Sequence, residues 1–209
     1  MDSHAWDDRY SAADSVWAPT PNEFVKEYLE TLPAGRMVDV AGGEGRHALW
    51  FAQRGWRAEN LDFSPVAVSK SMQRASDLNL GERFLGNVAD AESTQDYFLA
   101  PADLVVIAYL QIPASELAAA IANAARQLVA GGVLFGVWHA RENLTDGVGG
   151  PQDPSVLPTQ DELAAAFSKA NLAVSFAGLR RRSVDVAGER RDAVDVVVMA
   201  HAAETVART

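Results

Sequence analysis

Residues 38–56 read VDVAGGEGRHALWFAQRGW, and this stretch decides how the chain folds. A β-rich run, RMVDVA at 36–41, gives way to three glycines at 42–45 and then to a segment with helical spacing. Such an order is typical of a parallel strand that enters a helix through a tight turn. Because glycine has no Cβ, the turn allows a ligand or a neighbouring strand to lie close to the backbone.

Composition limits the function classes. The 209 residues are 48% hydrophobic and 22% charged, which is ordinary for a globular chain with a full core. A formal net charge of -10 argues against a nucleic-acid partner, since binding phosphates needs clustered Lys and Arg. The absence of cysteine excludes disulfides, thiolate nucleophiles and Cys-type zinc sites, and no metal site is predicted.

The same survey gives an expected location. The first ten residues, MDSHAWDDRY, are acidic and lack the apolar region of a signal peptide. No apolar run approaches the roughly 18 residues of a membrane span. We therefore expect a cytoplasmic protein with no membrane partner.

The remaining sequence alternates predicted strands and helices. Ser64 and Pro65 suit the N-cap and first position of a helix at about 65–78, and a capping box at Thr159–Glu162 opens a later one. An Ala-rich helix after Pro113 is expected to stop at Gly131 and Gly132. The predicted strands are RMVDVA, WRAENLDF, ERFLGNVAD, DLVVIAYL, VLFGVWHA, and a hairpin of LAVSFAGLRRRSVDV with AVDVVVMAHA around AGERRD.

This order predicts an α/β fold: a Rossmann-like, doubly wound, seven-stranded sheet with helices on both faces. The sheet is expected to be mostly parallel, with a C-terminal antiparallel hairpin. We expect one domain over 1–209, in which 1–34 form an N-terminal extension and helix that cover the cofactor site.

Two cofactors compete for the glycine turn. GEGRHA at 43–48 matches the G-x-G-x-x-A pattern of a dinucleotide site. Against that, a helix and an aromatic segment precede the first strand, and Asp39 is an odd neighbour for a pyrophosphate. Asp62, 17 residues beyond Gly45, ends the second strand and suits the hydroxyls of a ribose. A third possibility is that the glycines serve only the turn.

The VDVAGGEGR stretch resembles the first motif of class I S-adenosylmethionine-dependent methyltransferases, hydrophobic-Asp-hydrophobic-Gly-x-Gly-x-Gly. The sequence departs from that motif at Ala41, which stands in the place of the first glycine. WDDRY, VWAPTPNEFV and LDFSPVAV are similar to the branch containing tellurite-resistance and thiopurine-type enzymes, and DLVVIAYLQIP and LVAGGVLFGV match later family elements. The resemblance implies S-adenosylmethionine as cofactor and methyl transfer to a small molecule. A nicotinamide-dependent oxidoreductase and a non-catalytic S-adenosylmethionine-binding domain stay open as alternatives.

The resemblance also implies roles for individual residues. The glycine turn is expected to pack against the methionine part of the cofactor, with Asp39 ordering the turn or the cofactor amino group. Asp62 is expected on the ribose, Phe63 against the adenine, and Asn87 near the adenine amino group. The complete expected set of cofactor-binding residues is Tyr10, Trp17, Asp39, Ala41, Gly42, Gly43, Gly45, Asp62, Phe63, Ser64, Asn87, Val88 and Tyr109.

The acceptor side is less defined. The resemblance implies that Tyr109, ending the fourth strand, faces the transferable methyl group. Tyr109 and His139 are the catalytic candidates; histidine suits a general base near neutral pH, although a strand-end hydrogen bond is its commoner role. Gln111 and Arg141 are further candidates for substrate contact.

Three features remain hypotheses. Tyr10 and Trp17 either fold over the cofactor or act as surface staples. The Gly- and Pro-rich segment 144–158 is either a mobile lid or a plain surface loop. Five arginines in LRRR and GERR are expected to form a solvated edge rather than to attract an acidic substrate.

Overall fold

The computed structural model describes residues 3–93 and 100–204. Its strands form one seven-stranded sheet in the order β3-β2-β1-β4-β5-β7-β6. The strands are β1 Arg36–Val40, β2 Arg57–Asp62, β3 Phe84–Val88, β4 Ala102–Ala108, β5 Leu128–His139, β6 Leu172–Val186 and β7 Glu189–Ala202. The helices are α1 Ser3–Ser11, α2 Glu23–Leu29, α3 Arg46–Ala52, α4 Pro65–Asp77, α5 Ala114–Ala125, α6 Asn143–Asp146 and α7 Gln160–Lys169.

Strand pairing brings one set of strand ends to a common edge. β1 runs parallel to β2 and β4, so that Val40 lies opposite both Leu61 and Ile107. β7 is antiparallel to both β5 and β6. The predicted sheet, mostly parallel with an antiparallel C-terminal hairpin, is confirmed. The carboxyl ends of β1, β2, β4 and β5 therefore meet at the edge where α/β sheets bind ligands.

Helices cover both faces of the sheet, as predicted. Alternate residues of a strand point to opposite faces, and β4 contributes Val105 to one core and Val106 to the other. The first core packs against α5 and α7, and the second against α2, α3 and α4. With both faces buried, the central strands are nearly continuous apolar runs.

The predicted local signals act as expected. Ser64 caps α4, and its Oγ accepts a hydrogen bond of 3.1 Å from the amide of Ala67. Thr159 and Glu162 form the reciprocal capping box at the start of α7. The hairpin turns at Ala187 and Gly188, whose φ angles of 55° and 87° match the primed turn that suits twisted strands.

Some predicted boundaries are wrong. The Ala-rich helix α5 ends at Ala125, and Gly131 and Gly132 lie inside β5 instead. Leu128 pairs with Ala102 of β4, so sheet pairing overrides helix propensity across QLVAGG. The register shifts between that pair and the next, and Gly131 has a φ of 74° there.

Two segments hold structure that the sequence pattern did not show. Residues 3–11, which have no clean period, form α1. The 144–158 segment includes most of α6 and a 3-10 turn at Pro154–Val156. Among the described residues, no helix combines the length and apolar character that crossing a membrane requires.

Candidate functional site

The glycine turn between β1 and α3 lies between the side chain of Asp39 on one side and the side chain of Tyr10 on the other. A Cβ on Gly42 would lie 2.7 Å from Cγ of Asp39, so only glycine fits there. Gly43 has a φ of 57°, and a Cβ on it would lie 2.6 Å from the hydroxyl of Tyr10. The group lying closest above this backbone is therefore an aromatic side chain from α1.

Asp62 binds the turn and the next helix at once. Its Oδ2 accepts a hydrogen bond of 2.8 Å from the amide of Gly43, and its Oδ1 one of 2.9 Å from the amide of Ser64. Burial raises the pKa of Asp62 to about 6, despite these two amide donors. Each carboxylate oxygen keeps a further lone pair for a ligand hydroxyl.

Asp39 is a buried carboxylate with unused hydrogen-bonding capacity. It is fully buried, and neither oxygen has a hydrogen-bond partner among the described residues. The Nδ1 of His47 lies 3.3 Å from Oδ2 but is out of line for a hydrogen bond. Asp39 therefore packs against Gly42 without a hydrogen bond to the turn, and its role in ordering the turn or the cofactor amino group stays a prediction. A buried carboxylate in this state favours a cationic partner.

An N-terminal strap, which we define as residues 3–22, lies over the turn. The indole Nε1 of Trp17 donates to the hydroxyl of Tyr10 at 3.4 Å. Glu44, from the turn itself, is 1% exposed and accepts the amides of Val16 at 2.9 Å and Trp17 at 3.3 Å. The turn residue that separates Gly43 from Gly45 thus anchors the strap.

The other end of the strap binds α4. Asp7 accepts a hydrogen bond from the hydroxyl of Ser64, the predicted cofactor-site residue that caps this helix. Lys70 donates to the backbone carbonyl of Tyr10, and it lies 3.6 Å from Glu44. Burial raises the pKa of the Tyr10 hydroxyl, so it stays protonated. The side chain of Tyr10 is buried over the turn, which favours the reading in which it folds over the cofactor; that role stays a prediction.

The residues expected to contact the adenine lie on β3 and beside Asp62. The amide of Asn87 donates to Glu59 at 3.3 Å, within the sheet rather than toward Asp62. Val88, at the end of β3, is 56% exposed. Phe63 is half-buried beside Asp62. The structure brings Tyr10, Trp17, Asp39, Asp62 and the turn together. The register of β2 with β3 places Val88 opposite Asp62, and the adenine contacts of Asn87 and Val88 stay a prediction.

Tyr109 connects this region to the end of β5 and to residues inside β6 and β7. It follows β4 by one residue rather than ending it, and its φ of 59° is unusual for tyrosine. Its hydroxyl accepts a hydrogen bond of 2.8 Å from the side chain of Asn22 and donates one of 2.8 Å to Asp195. Burial and the Asp195 carboxylate raise the pKa of Tyr109.

Asp195 is the centre of a buried polar cluster. It is fully buried on β7, and its Oδ2 also accepts a hydrogen bond of 3.0 Å from Nε of Arg182. Its Oδ1 lies 3.1 Å from Nδ1 of His139, and the Tyr109 and His139 rings are 4.8 Å apart. Burial alone would raise the pKa of Asp195, but His139 and Arg182 hold it below the usual range. The carboxylate therefore stays ionised.

Arg182 shows where the expected solvated edge is wrong. Alternation along β6 turns Arg182 inward to Asp195, and Nε of Arg180 donates to the hydroxyl of Tyr28 at 2.9 Å. The other three arginines, Arg181, Arg190 and Arg191, are exposed as expected.

Gln111 and Arg141, the two further candidates for substrate contact, make hydrogen bonds within the protein. Gln111 accepts the amide of His139 at 2.9 Å and donates to the carbonyl of Val156 at 2.7 Å. Arg141 binds Glu162 through Nη2, at 2.9 and 3.1 Å from its two oxygens. Nε of Arg141 also donates to the carbonyl of Leu157 at 3.1 Å, so both side chains bind the 144–158 segment. The role of this segment as a lid stays a prediction.

Sequence reasoning missed Asn22, Glu44, Arg46 and Asp195. Arg46 begins α3, and its guanidinium lies 5.9 Å from the Trp17 ring and 6.0 Å from the Tyr109 ring. A signal existed for Asp195, because a lone carboxylate stands inside the apolar run AVDVVVMA. None existed for Asn22, which is an ordinary helix cap by sequence.

Comparison with known proteins finds one family model and several solved structures that resemble the chain. A family model described as a methyltransferase domain matches residues 37–132, from β1 into β5. Over these residues the chain is similar to methyltransferase domains. No curated protein sequence matches the chain.

Solved structures share the fold of this chain at low sequence identity. A structure from work on the conversion of a disulfide bond into a thioacetal group during echinomycin biosynthesis has a TM-score of 0.75 at 18% identity, covering 98% of this chain and 94% of that one. TehB from Haemophilus influenzae has a TM-score of 0.71 at 16% identity, covering 87% and 62%. Magnesium protoporphyrin IX methyltransferase from Synechocystis PCC 6803, with bound SAH, has a TM-score of 0.63 at 13% identity, covering 96% and 84%.

Proposed function

We propose that this enzyme transfers the methyl group of S-adenosylmethionine to a small-molecule acceptor bound beside Tyr109 and His139. The observation that carries the proposal is the Asp39 carboxylate, which is buried against the glycine turn with no hydrogen-bond partner among the described residues. Such a group is costly in an empty site and fits a cationic ligand. S-adenosylmethionine carries both an ammonium and a sulfonium group.

The residues around the turn fit the remainder of the cofactor. Asp62 has lone pairs left for the ribose hydroxyls, and Gly43 allows close approach to the backbone. Phe63 lies beside Asp62, where an adenine ring would pack. The contact of Asn87 with the adenine stays a prediction.

The cofactor supplies an electrophilic methyl group, so the protein mainly positions the acceptor and excludes water. The strap serves the second task, since Tyr10 and Trp17 lie directly over Gly43. It also must shift for a ligand to reach that backbone. We propose that residues 1–209 act as one domain in which the 1–34 extension covers the cofactor.

The arrangement of the acceptor side supports a small substrate. Tyr109 and His139 lie between the strap side of the sheet and the 143–158 segment, which Asn143 fixes by accepting the amide of Val194 at 2.7 Å. An acceptor must enter between these elements. The cytoplasmic location remains a prediction from the sequence.

Calorimetric titration of S-adenosylhomocysteine into the purified protein tests the proposal, with NADH as the parallel ligand. We expect micromolar binding of S-adenosylhomocysteine only. Binding of NADH, or of neither ligand, would overturn the proposed use of the glycine turn.

A further inference from the structure

The His139 ring is held by one edge and open at the other. Nδ1 is buried and lies 3.1 Å from Oδ1 of Asp195. Gly150 covers Cγ and Cδ2 so closely that a Cβ on it would lie 2.8 Å from each. The side chain is nevertheless 16% exposed. The exposed part is therefore the Cε1–Nε2 edge, and Nε2 has no hydrogen-bond partner among the described residues.

One oxygen of the Asp195 carboxylate behind this ring is already hydrogen-bonded. Oδ2 of Asp195 receives hydrogen bonds from Tyr109 and Arg182, which leaves Oδ1 for the imidazole. The contact is short but out of line, a state that commonly tightens when a substrate binds. A carboxylate at Nδ1 favours the tautomer with the proton on Nδ1 and a lone pair on Nε2.

The charged and titratable groups around the ring come from several elements. Asp195 on β7 faces it directly, Tyr109 stacks on it from the end of β4, and Arg182 of β6 binds the far oxygen of Asp195. Glu23 of α2 and Arg46 of α3 are the other charged groups that act on this cluster. An imidazolium formed here would lie against an ionised carboxylate.

We propose that Nε2 of His139 accepts the proton of the methyl acceptor, and that Asp195 is the positioning residue that orients His139 and balances its charge. This inference rests on the proposed function and narrows the substrate class. The acceptor is a molecule whose attacking atom carries a proton at neutral pH, such as a hydroxyl or thiol compound, rather than a tertiary amine.

A lone pair of the acceptor atom forms the bond to the methyl carbon as the carbon–sulfur bond breaks, and that bond's electrons remain on sulfur as a neutral thioether. The acceptor proton moves to Nε2. The positive charge of the sulfonium is thereby replaced by that of an imidazolium paired with Asp195, which later releases its proton to water.

Nitrogen-15 NMR of the histidine rings tests the pairing, in the full-length protein with S-adenosylhomocysteine added. His139→Gln assigns the His139 signals among those of the four histidines. At a pH where the ring is neutral, we expect the proton on Nδ1 in the wild type and a mixture of tautomers in Asp195→Asn. Asp192→Asn, an exposed site on the same strand, should leave the signals unchanged.

A proton on Nε2 in the wild type, or an unaltered tautomer in Asp195→Asn, overturns the proposal. If Asp195→Asn does not fold, the wild-type tautomer decides alone. Calorimetry on the same samples separates this failure from that of the proposed function, because loss of the pairing does not abolish S-adenosylhomocysteine binding.

Radiolabelled S-adenosylmethionine with a panel of phenols, alcohols and thiols, and tertiary amines for comparison, tests the proton transfer. His139→Gln should lower turnover of a proton-bearing acceptor by about 100-fold or more. Turnover of tertiary amines alone, or a His139→Gln variant with unchanged turnover, contradicts it.

Discussion

The two halves of the proposed site, the cofactor half and the acceptor half, are built in different ways. The cofactor half comes from one continuous stretch of chain, from Asp39 through the glycine turn to Asp62 and Ser64, with the strap laid over it. The acceptor half joins Asn22, Tyr109, His139, Arg182 and Asp195, which come from separate elements. A short motif defines the first half, whereas only the folded sheet assembles the second. Substitutions in the acceptor half should therefore mainly lower the free energy of unfolding, whereas substitutions in the cofactor half should mainly weaken ligand binding.

The largest expected effect is on stability, at the acceptor half. Asp195→Ala leaves the Arg182 guanidinium and the Tyr109 hydroxyl without their shared partner. We expect a loss of about 3 kcal/mol in the free energy of unfolding, the low end for a broken buried pair because Arg182 is partly exposed. Urea denaturation measures it, with Asp192→Ala on the same strand expected within about 0.5 kcal/mol of the wild type. If Asp195→Ala lowered the free energy of unfolding no more than Asp192→Ala does, the acceptor half would not contribute specially to stability.

The next effect is on ligand binding, at the cofactor half. Asp62→Ala removes the acceptor proposed for the ribose hydroxyls and should weaken S-adenosylhomocysteine binding by roughly 1–3 kcal/mol. Calorimetry on a variant shown to be folded by circular dichroism measures this. Unchanged affinity in a folded variant would place the ribose elsewhere.

The raised pKa of Asp62 makes binding depend on pH. Ribose hydroxyls donate to the ionised carboxylate, so binding lowers a pKa that is about 6 in the free protein. Affinity should thus be constant above about pH 7 and fall up to about tenfold per unit below pH 6. Without ligand the same raised pKa lowers stability as the pH rises from 3.8 to about 6, so the two trends have opposite sign.

Asp62→Asn is the matched control for both trends. It cannot titrate, so its weaker affinity should stay flat between pH 7 and 5. An Asp62→Asn variant that keeps the wild-type pH dependence would assign the titration to another group.

Asp39→Asn should change stability and binding in opposite directions. Removing an unpartnered buried charge is expected to stabilise the ligand-free protein by about 1 kcal/mol. The same change should weaken S-adenosylhomocysteine binding, because a cationic amino group loses its partner. Melting temperatures with and without ligand test both signs together. A loss of stability without ligand would mean that His47 already satisfies the carboxylate.

The smallest expected effect concerns the strap. Glu44→Gln weakens the acceptor of the Val16 and Trp17 amides and removes the charge near Lys70 and Arg74. Hydrogen exchange at residues 14–17 should speed up by an amount corresponding to about 1 kcal/mol. Exchange in the hairpin 172–202 should not change. Uniform acceleration would indicate general destabilisation rather than release of the strap.

Local signals explain what the sequence could predict. The glycine turn, the Ser64 cap, the Thr159–Glu162 capping box and the hairpin each depend on neighbouring residues, and they fixed the order and type of the strands. Asp62 could be predicted as a site residue because it stands at the end of β2.

Long-range pairing explains what the sequence could not predict. Pairing with β4 extended β5 back through Gly131, against the local helix pattern. Arg182 was assigned to the surface because its neighbours are charged, and only the register of β6 with β7 brings it to Asp195. The strap helix α1 depends on contacts with α4 rather than on its own period.

The strap also gives this protein an internal optical signal. Trp17 is 37% exposed, Trp6 is half-buried and 6.3 Å from it, and both lie beside Tyr10 above Gly43. The remaining tryptophans are in the cores: Trp50, Trp56 and Trp138. If the strap covers the cofactor as proposed, binding should change the fluorescence of this partly exposed pair. Cofactor arrival and departure could then be timed in the unmodified protein, without a dye or a methyl acceptor.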